Sequence, residues 1–220
     1  MNEQFAERVA DLWQPLTGDW EWNGGKLRQR TVQNGWAVVL CTKPVPADAV
    51  ISTRFRVTDG QQYKSLGLAF DAADADNLQG VYLSVSGKVQ LFQRVKGADS
   101  YPTHALKMRP IEAGREYTLK IATRGRLVNV WVDAAFHFSV ELPADRPAGG
   151  KLGLVTYDAA AEFSTVQATS LPGELALRNP DGQPATAPSV TLLQDAVADA
   201  ERKVGLAERR LATATAARVW

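Results

Sequence analysis

AVISTRFRV, the stretch from Ala49 to Val57, alternates apolar and polar side chains along its length. Successive side chains of a β-strand point to opposite faces of the sheet. In this stretch one face carries Ile51, Thr53, Phe55 and Val57, and the other carries Ser52, Arg54 and Arg56. The pattern therefore predicts a strand with one buried face and one solvated face.

The same alternation recurs between Leu16 and Leu171, in short runs separated by Gly, Pro, Asn or Asp. Such spacing is typical of the strands of a sandwich or barrel. Gly87 tolerates the backbone of a tight turn, so it predicts a hairpin between Val81–Val85 and Val89–Val95. We therefore expect an all-β sandwich of about a dozen strands over residues 16–171.

Two parts of this region resemble a known superfamily. The run GLAFDAADADNLQGVYLSV, from Gly67 to Val85, has a "GLxF" strand, a polar Asp and Asn loop, and a following strand that contains tyrosine. Together with Gly114–Ile121, Val128–Asp133 and Gly150–Tyr157, it resembles concanavalin A-like domains: laminin G-like modules, fructan-binding carbohydrate modules and 3-keto-disaccharide hydrolase-like domains. The resemblance implies a jelly-roll sandwich and a glycan partner. The carbohydrate-binding relatives often have arginine where this chain has Asp71.

The chain ends do not follow the strand pattern. In residues 1–15, Phe5, Val9 and Leu12 have helical spacing and predict a short N-terminal helix. Residues 172–188 include three prolines between Asn179 and Pro188 and are predicted to be a linker. Residues 189–220 carry an Ala-rich heptad seam, which predicts a helix that packs on another helix. That partner could be a second copy (a homo-oligomer) or a helix in cis beyond Trp220, the alternative being a helix that lies on the sandwich.

Composition excludes several classes of partner. The chain has 25 Lys and Arg against 24 Asp and Glu, a formal charge of +1, so no overall field favours nucleic acid or an anionic membrane. A single cysteine, Cys41, excludes an intrachain disulfide. No apolar run is long enough for membrane insertion, and the N-terminus lacks the pattern of a signal peptide. If the chain is a fragment of a longer exported bacterial protein, we expect a periplasmic or secreted location.

Acidic residues cluster in the loop that follows the "GLxF" strand. Asp71, Asp74 and Asp76, with Asn77, supply the oxygen ligands that calcium prefers. Asp and Asn are also common in turns, because their side chains bond to nearby backbone groups. The loop is therefore a candidate calcium site or an ordinary turn, and no other cofactor is expected.

Several aromatic residues fall out of phase with the predicted core positions. Tyr82 and Trp131 alternate with core residues of their strands, so both are expected on an outer face, where an aromatic ring can contact a sugar. Arg94 lies on the face opposite Leu91 and is the expected partner of Tyr82. Trp36 and Tyr157 complete the predicted ligand-binding set.

The sequence contains no recognisable catalytic constellation. Its carboxylates are scattered rather than paired as in glycosidases, and neither His104 nor His137 has an evident partner. We therefore favour a non-catalytic recognition module, with carbohydrate as its expected ligand. The alternatives are a structural or protein-interaction domain that assembles through its C-terminal helix, and a glycoside-processing hydrolase.

Overall fold

Strands make up most of the chain, as the alternating pattern predicts. The computed structural model describes residues 1–9, 11–146, 148–185, 201, 202, 204 and 205. Met1–Pro184 form one compact unit, and Ala185–Trp220 form another. Within the described residues the strands are β1 (Asn2–Glu3), β2 (Trp13–Thr17), β3 (Trp20–Trp22), β4 (Leu27–Gln29), β5 (Trp36–Pro44), β6 (Ala49–Ala72), β7 (Leu78–Ser84), β8 (Lys88–Val95), β9 (Ala98–Ser100), β10 (Leu106–Met108), β11 (Tyr117–Arg124), β12 (Leu127–Val132), β13 (Ala135–Glu141), β14 (Lys151–Ser170), β15 (Leu177–Arg178) and β16 (Pro184–Ala185).

Two long strands, β6 and β14, connect the two layers of the sandwich. They pair antiparallel from Ala49↔Ser170 to Ala72↔Lys151, with several bulges that let the pair bend. The second half of β6 and the first half of β14 belong to the first sheet, in the order β2-β5-β14-β6-β7-β8-β10. The other halves belong to the second sheet, with β4 and β1 on one side and β11-β12-β13 on the other.

The main core lies between the two sheets. Leu66, Leu68 and Leu83 of the first sheet belong to the same buried cluster as Ile51 and Phe55 of the second sheet. These are the positions that the period of two assigned to the buried faces. Removing this apolar surface from water is the main force that holds the layers together.

A second apolar cluster covers the opposite face of the first sheet. It contains Trp36, Val38, Tyr82, Phe92 and Val155, all of which alternate with residues of the main core along their strands. An outer face that carries large buried aromatic rings is unusual for an antiparallel sheet, since this face is commonly solvated. This face therefore contains the candidate site.

The predicted N-terminal helix is wrong. Asn2–Glu3 is a strand that pairs with Gln167 and Val166 of β14, and no helix forms in the described residues of the first fifteen. Phe5 has a positive φ of 53° and packs its ring 5.6 Å from that of Trp13, between centroids. A helix this short is marginal in water, so pairing with β14 prevails over the helical spacing.

The predicted linker is partly docked on the sandwich. Leu177 of β15 is fully buried, and the backbone of Arg178 exchanges two hydrogen bonds with the side-chain amide of Asn129, at 2.7 and 2.8 Å.

The predicted helix over 189–220 lies outside the described residues except at positions 201, 202, 204 and 205, which are helical. The heptad seam and its partner therefore remain predictions. No helix among the described residues is long and apolar enough to cross a membrane.

Glu162 of β14 lies between basic side chains of neighbouring strands. Register pairs it with Arg28 of β4 and Arg56 of β6, and its carboxylate accepts hydrogen bonds from Lys26 Nζ and Arg56 Nε, both at 2.8 Å. Arg28 Nε lies 3.0 Å from Glu162 Oε1 without hydrogen-bond geometry. Burial by itself would raise the pKa of Glu162, but the hydrogen bonds from Lys26 and Arg56 outweigh burial and lower this pKa.

Glu162→Gln is expected to lower the free energy of unfolding by about 1–3 kcal/mol near pH 7, because three cations lose their shared anion. The folded-state pKa lies below its ordinary value of 4.5, so the carboxylate stabilises the fold above that pH. This contribution disappears as the pH falls through the folded-state pKa. Urea unfolding of Glu162→Gln and of the unchanged protein is measured near pH 7 and at about pH 3. The difference between their free energies of unfolding should become smaller at the lower pH.

Glu141→Gln is the matched control for Glu162→Gln, since the Glu141 side chain is 57% exposed and lies 3.6 Å from Arg126. This exposed pair should contribute no more than about 1 kcal/mol. A Glu162→Gln deficit that stays constant on acidification would contradict the assigned role of the carboxylate.

Candidate functional site

Register across five strands of the first sheet aligns the residues at one end of the outer face. Trp36 of β5 is paired with Tyr157 of β14, Tyr157 with Ser65 of β6, Ser65 with Ser84 of β7, and Ser84 with Lys88 of β8. The row therefore gathers two aromatic rings, two hydroxyls and a cation from positions up to 121 residues apart in the sequence.

The next row inward forms the floor of the site. Gly67, Tyr82 and Gln90 are aligned there, and the hydroxyl of Tyr82 donates a 2.7 Å hydrogen bond to Gln90 Oε1. This bond leaves the Nε2 amide of Gln90 as its free donor. Burial, followed by the charges of Tyr101 and Asp99, raises the pKa of the Tyr82 hydroxyl, which therefore stays protonated and donating.

Four aromatic rings pack together on one side of the site. Trp36 stacks on Phe92 with centroids 4.2 Å apart and an angle of 1° between the ring planes. Trp36 also contacts the rings of Tyr82 and Tyr157, at centroid distances of 5.7 and 5.3 Å. Phe92 lies directly over Gly80, where an added Cβ would come within 2.1 Å of the ring. The absence of a side chain at Gly80 therefore makes room for the stack.

Above these rows lies an open cavity of about 430 Å³, a size that falls in the range of small-molecule sites. Tyr63 and Tyr101 form its exposed walls, being 40% and 48% exposed, whereas Ser65 and Gln90 are buried in its floor. We call this cavity the aromatic pocket. Its lining is Trp36, Tyr63, Ser65, Tyr82, Lys88, Gln90, Tyr101 and Tyr157.

A smaller cavity of about 260 Å³ adjoins the aromatic pocket and shares Tyr63 and Tyr157 with it. The remainder of its lining is largely amide side chains, among them Asn34, which accepts a 2.9 Å hydrogen bond from the Tyr157 hydroxyl. Asp158 also lines it, and one carboxylate oxygen of Asp158 accepts the backbone N–H groups of Gln62 and Tyr63, each at 2.7 Å. Tyr63 and Tyr157 therefore stand between the two cavities and line both.

The structure brings together three of the five predicted ligand-binding residues. Trp36, Tyr82 and Tyr157 all line the aromatic pocket. Arg94 does not line it but is linked to it, because Arg94 Nη1 and Trp36 Nε1 both donate to the carboxylate of Asp99, at 2.7 and 2.9 Å. Of the predicted pair, Tyr82 therefore lines the aromatic pocket and Arg94 does not, although both lie on the same face of the sheet.

Trp131 lies on the second sheet, away from the aromatic pocket. Its ring packs against Phe136 at a centroid distance of 5.7 Å, and Lys120 Nζ lies 4.4 Å from its centroid. The out-of-phase position correctly predicted an outer face. Period-two reasoning, however, does not tell which of two sheets a strand joins, since both have an outer face.

Five residues of the aromatic pocket were not in the predicted set: Tyr63, Ser65, Lys88, Gln90 and Tyr101. Gln90 had a usable signal, because it alternates with Val89 and Leu91 and so shares a face with Phe92. Tyr63 and Tyr101 had none, since Tyr63 lies in a polar part of β6 and Tyr101 follows the short strand β9. The fold alone places these two rings at the mouth of the pocket.

The acidic loop turns its carboxylates in different directions. Asp71 pairs with Arg146, Asp74 accepts from the Asn77 side-chain amide at 2.9 Å, and Asp76 lies 3.3 Å from Arg94 Nη2. Among the described residues, no group of three or more His, Cys, Asp or Glu side chains is placed to hold a metal ion. The hydrogen bonds from Asn77 and the Asp76 N–H lower the pKa of Asp74, as expected of a turn carboxylate.

Both histidines line a separate cavity of about 590 Å³ beside β13. Burial lowers the pKa of His137, and its Nδ1 lies 2.9 Å from the carbonyl oxygen of Ala135. His104 and His137 therefore share one surface depression despite their separation in sequence. Neither lines the aromatic pocket.

Similar folds occur among solved structures. Neither the protein-family models nor the curated proteins include a match to this sequence. The carbohydrate-binding module CBM66 from Bacillus subtilis aligns over 72% of this chain and 96% of its own, with a TM-score of 0.66 and 22% identity. A Bacillus licheniformis beta-glucanase aligns over 77% and 97%, with a TM-score of 0.60 and 11% identity.

The metal-free carbohydrate recognition domain of Emp46p aligns over 73% of this chain and 89% of its own, with a TM-score of 0.57 and 12% identity. At such low identities, structural similarity shows the fold alone, and the function depends on the residues of the site. The chain has the concanavalin A-like jelly-roll fold.

Proposed function

We propose that this protein is a carbohydrate-binding module and that its glycan occupies the aromatic pocket. The observation that carries the proposal is the pocket itself: four tyrosines and a tryptophan surround a floor with the side-chain amide of Gln90 and the hydroxyl of Ser65. Sugars combine apolar C–H faces with hydroxyl groups, and a site of this kind supplies ring surfaces for the first and hydrogen-bonding groups for the second.

A recognition role also fits the chemistry of the lining. Its side chains are aromatic rings, hydroxyls, an amide and an ammonium group, without the pair of carboxylates that glycoside hydrolysis ordinarily uses. The titles of two structural neighbours name a carbohydrate-binding module and a carbohydrate recognition domain. A beta-glucanase shares the fold as well, so the fold by itself does not distinguish binding from hydrolysis, whereas the lining of the pocket favours binding.

Tyr101→Ala is expected to weaken glycan binding by about tenfold or more, because removal of an aromatic anchor from a binding site costs about 1–2 kcal/mol. Tyr101 is 48% exposed, so its removal should leave the fold intact. The measurement is a glycan array followed by calorimetric titration of the best ligand. The array includes fructans, β-glucans and acidic glycans.

Trp131→Ala is the matched control, since it removes an aromatic ring from the outer face of the other sheet. Its affinity should equal that of the unchanged protein. If Trp131→Ala abolishes binding and Tyr101→Ala does not, the site is on the second sheet. Absence of binding across the array would overturn the carbohydrate proposal and favour the structural role.

A further inference from the structure

Lys88 brings an uncompensated positive charge to the aromatic pocket. It is half-buried at the start of β8, and no carboxylate in the described part of the chain forms an ion pair with it. Arg94, on the same face of the sheet, differs in this respect, because it is bound to Asp99 and Asp76. A cation held at a concave site raises the local concentration of anions there.

The floor of the pocket presents hydrogen-bond donors beside this charge. Gln90 is only 9% exposed and lines the cavity. Its Oε1 is occupied by the Tyr82 hydroxyl, and its Nε2 amide has no hydrogen-bond partner among the described residues. Ser65, 4% exposed, also lines the cavity and aligns in register with Ser84, the neighbour of Lys88 in the sheet. Both residues line the cavity, so their donors are available to a ligand that enters it.

Two carboxylates near the pocket already accept hydrogen bonds from other groups. Asp99 accepts from Trp36 Nε1 and Arg94 Nη1, and in the adjoining cavity Asp158 accepts two backbone N–H groups. Neither Asp99 nor Asp158 forms an ion pair with Lys88. The free polar groups of the pocket are mainly donors, which is the complement of an anion.

We propose that the aromatic pocket selects an acidic sugar, whose anionic group is bound by Lys88 and the Gln90 amide while the tyrosines contact the sugar ring. This inference rests on the proposed function, and it names the class of glycan. The anion is a carboxylate or a sulfate, two groups that share the oxygen acceptors required here.

The test is titration of the full chain with matched glycans. Trigalacturonic acid is compared with its methyl ester, a sulfated glucosamine disaccharide with its unsulfated form, and both pairs with a neutral fructo-oligosaccharide. At least one acidic member should bind about tenfold or more tightly than its neutral counterpart, and this preference should shrink when NaCl rises from about 50 to about 500 mM. The pair that shows the preference identifies carboxylate or sulfate.

Lys88→Ala should abolish the preference for the acidic member, and Lys88→Arg should retain much of it. Lys107→Ala is the matched control, because Lys107 is an exposed lysine on the neighbouring strand β10, outside the pocket lining, and it should leave the preference unchanged. Equal binding of neutral and acidic glycans would overturn this inference and leave the carbohydrate proposal standing. Binding to no glycan would overturn both.

Discussion

Arg146→Ala is expected to lower the free energy of unfolding by about 3–5 kcal/mol, because it strands a buried carboxylate. The Arg146 and Asp71 side chains are 3% and 5% exposed. Arg146 donates through Nε and Nη2 to the two carboxylate oxygens of Asp71, the second bond being 3.0 Å, and through Nη1 to the carbonyl of Gly125. Urea unfolding at neutral pH measures the loss.

A matched arginine and a double variant separate charge from packing. Arg126→Ala removes an arginine that is 51% exposed and pairs with Glu141 at 3.6 Å, so it should cost no more than about 1 kcal/mol. Asp71→Asn combined with Arg146→Met removes both charges, and it should recover part of the stability lost in Arg146→Ala. If Arg146→Ala costs no more than Arg126→Ala, the buried pair of Arg146 and Asp71 does not stabilise the fold.

Gly80→Ala is expected to cost about 1–3 kcal/mol, because an added methyl group would overlap the ring of Phe92. The ideal Cβ position lies 2.1 Å from one ring carbon of Phe92, so the ring must move and its stacking on Trp36 is lost. Since Trp36 also lines the aromatic pocket, glycan affinity should fall together with stability. Urea unfolding and calorimetric titration of the same variant measure the two effects.

Gly173→Ala is the control for this substitution, since nothing lies within 4 Å of the added Cβ. Its stability should stay within about 0.5 kcal/mol of the unchanged protein. Phe92→Leu in the Gly80→Ala background makes room for the methyl group and should recover part of the stability. A Gly80→Ala protein as stable as Gly173→Ala would show that Phe92 moves freely and that the stack does not shape the pocket.

Period-two alternation predicted the strands and their faces well. Ile51 and Phe55 lie in the main core as expected, and the out-of-phase residues Tyr82 and Trp131 do lie on outer faces. The reason is local, because the direction of a side chain follows from the backbone of its own strand. The N-terminal helix failed for the opposite reason: pairing of Asn2–Glu3 with distant β14 outweighed a weak local preference.

The candidate site was predicted only in part. Trp36, Tyr82 and Tyr157 were expected to contact a ligand, and the structure gathers them in one pocket. Lys88 and Gln90 were not expected, although Gln90 lies on the predicted face of β8. Their place in the pocket depends on which residues of β7 and β10 lie opposite them. The alternation within a single strand does not predict that register.

Local alternation specifies the all-β class and the faces of most strands, since both arise from side chains a few residues apart. Tertiary structure alone decided that Trp36, Tyr157, Ser65 and Lys88 lie in one row, because hydrogen bonds between distant strands set the register. It also decided that Phe92 lies over Gly80, against the ring of Trp36. Neither arrangement follows from local pattern, because strand pairing joins residues far apart in the chain and only the folded sheet specifies which residues meet.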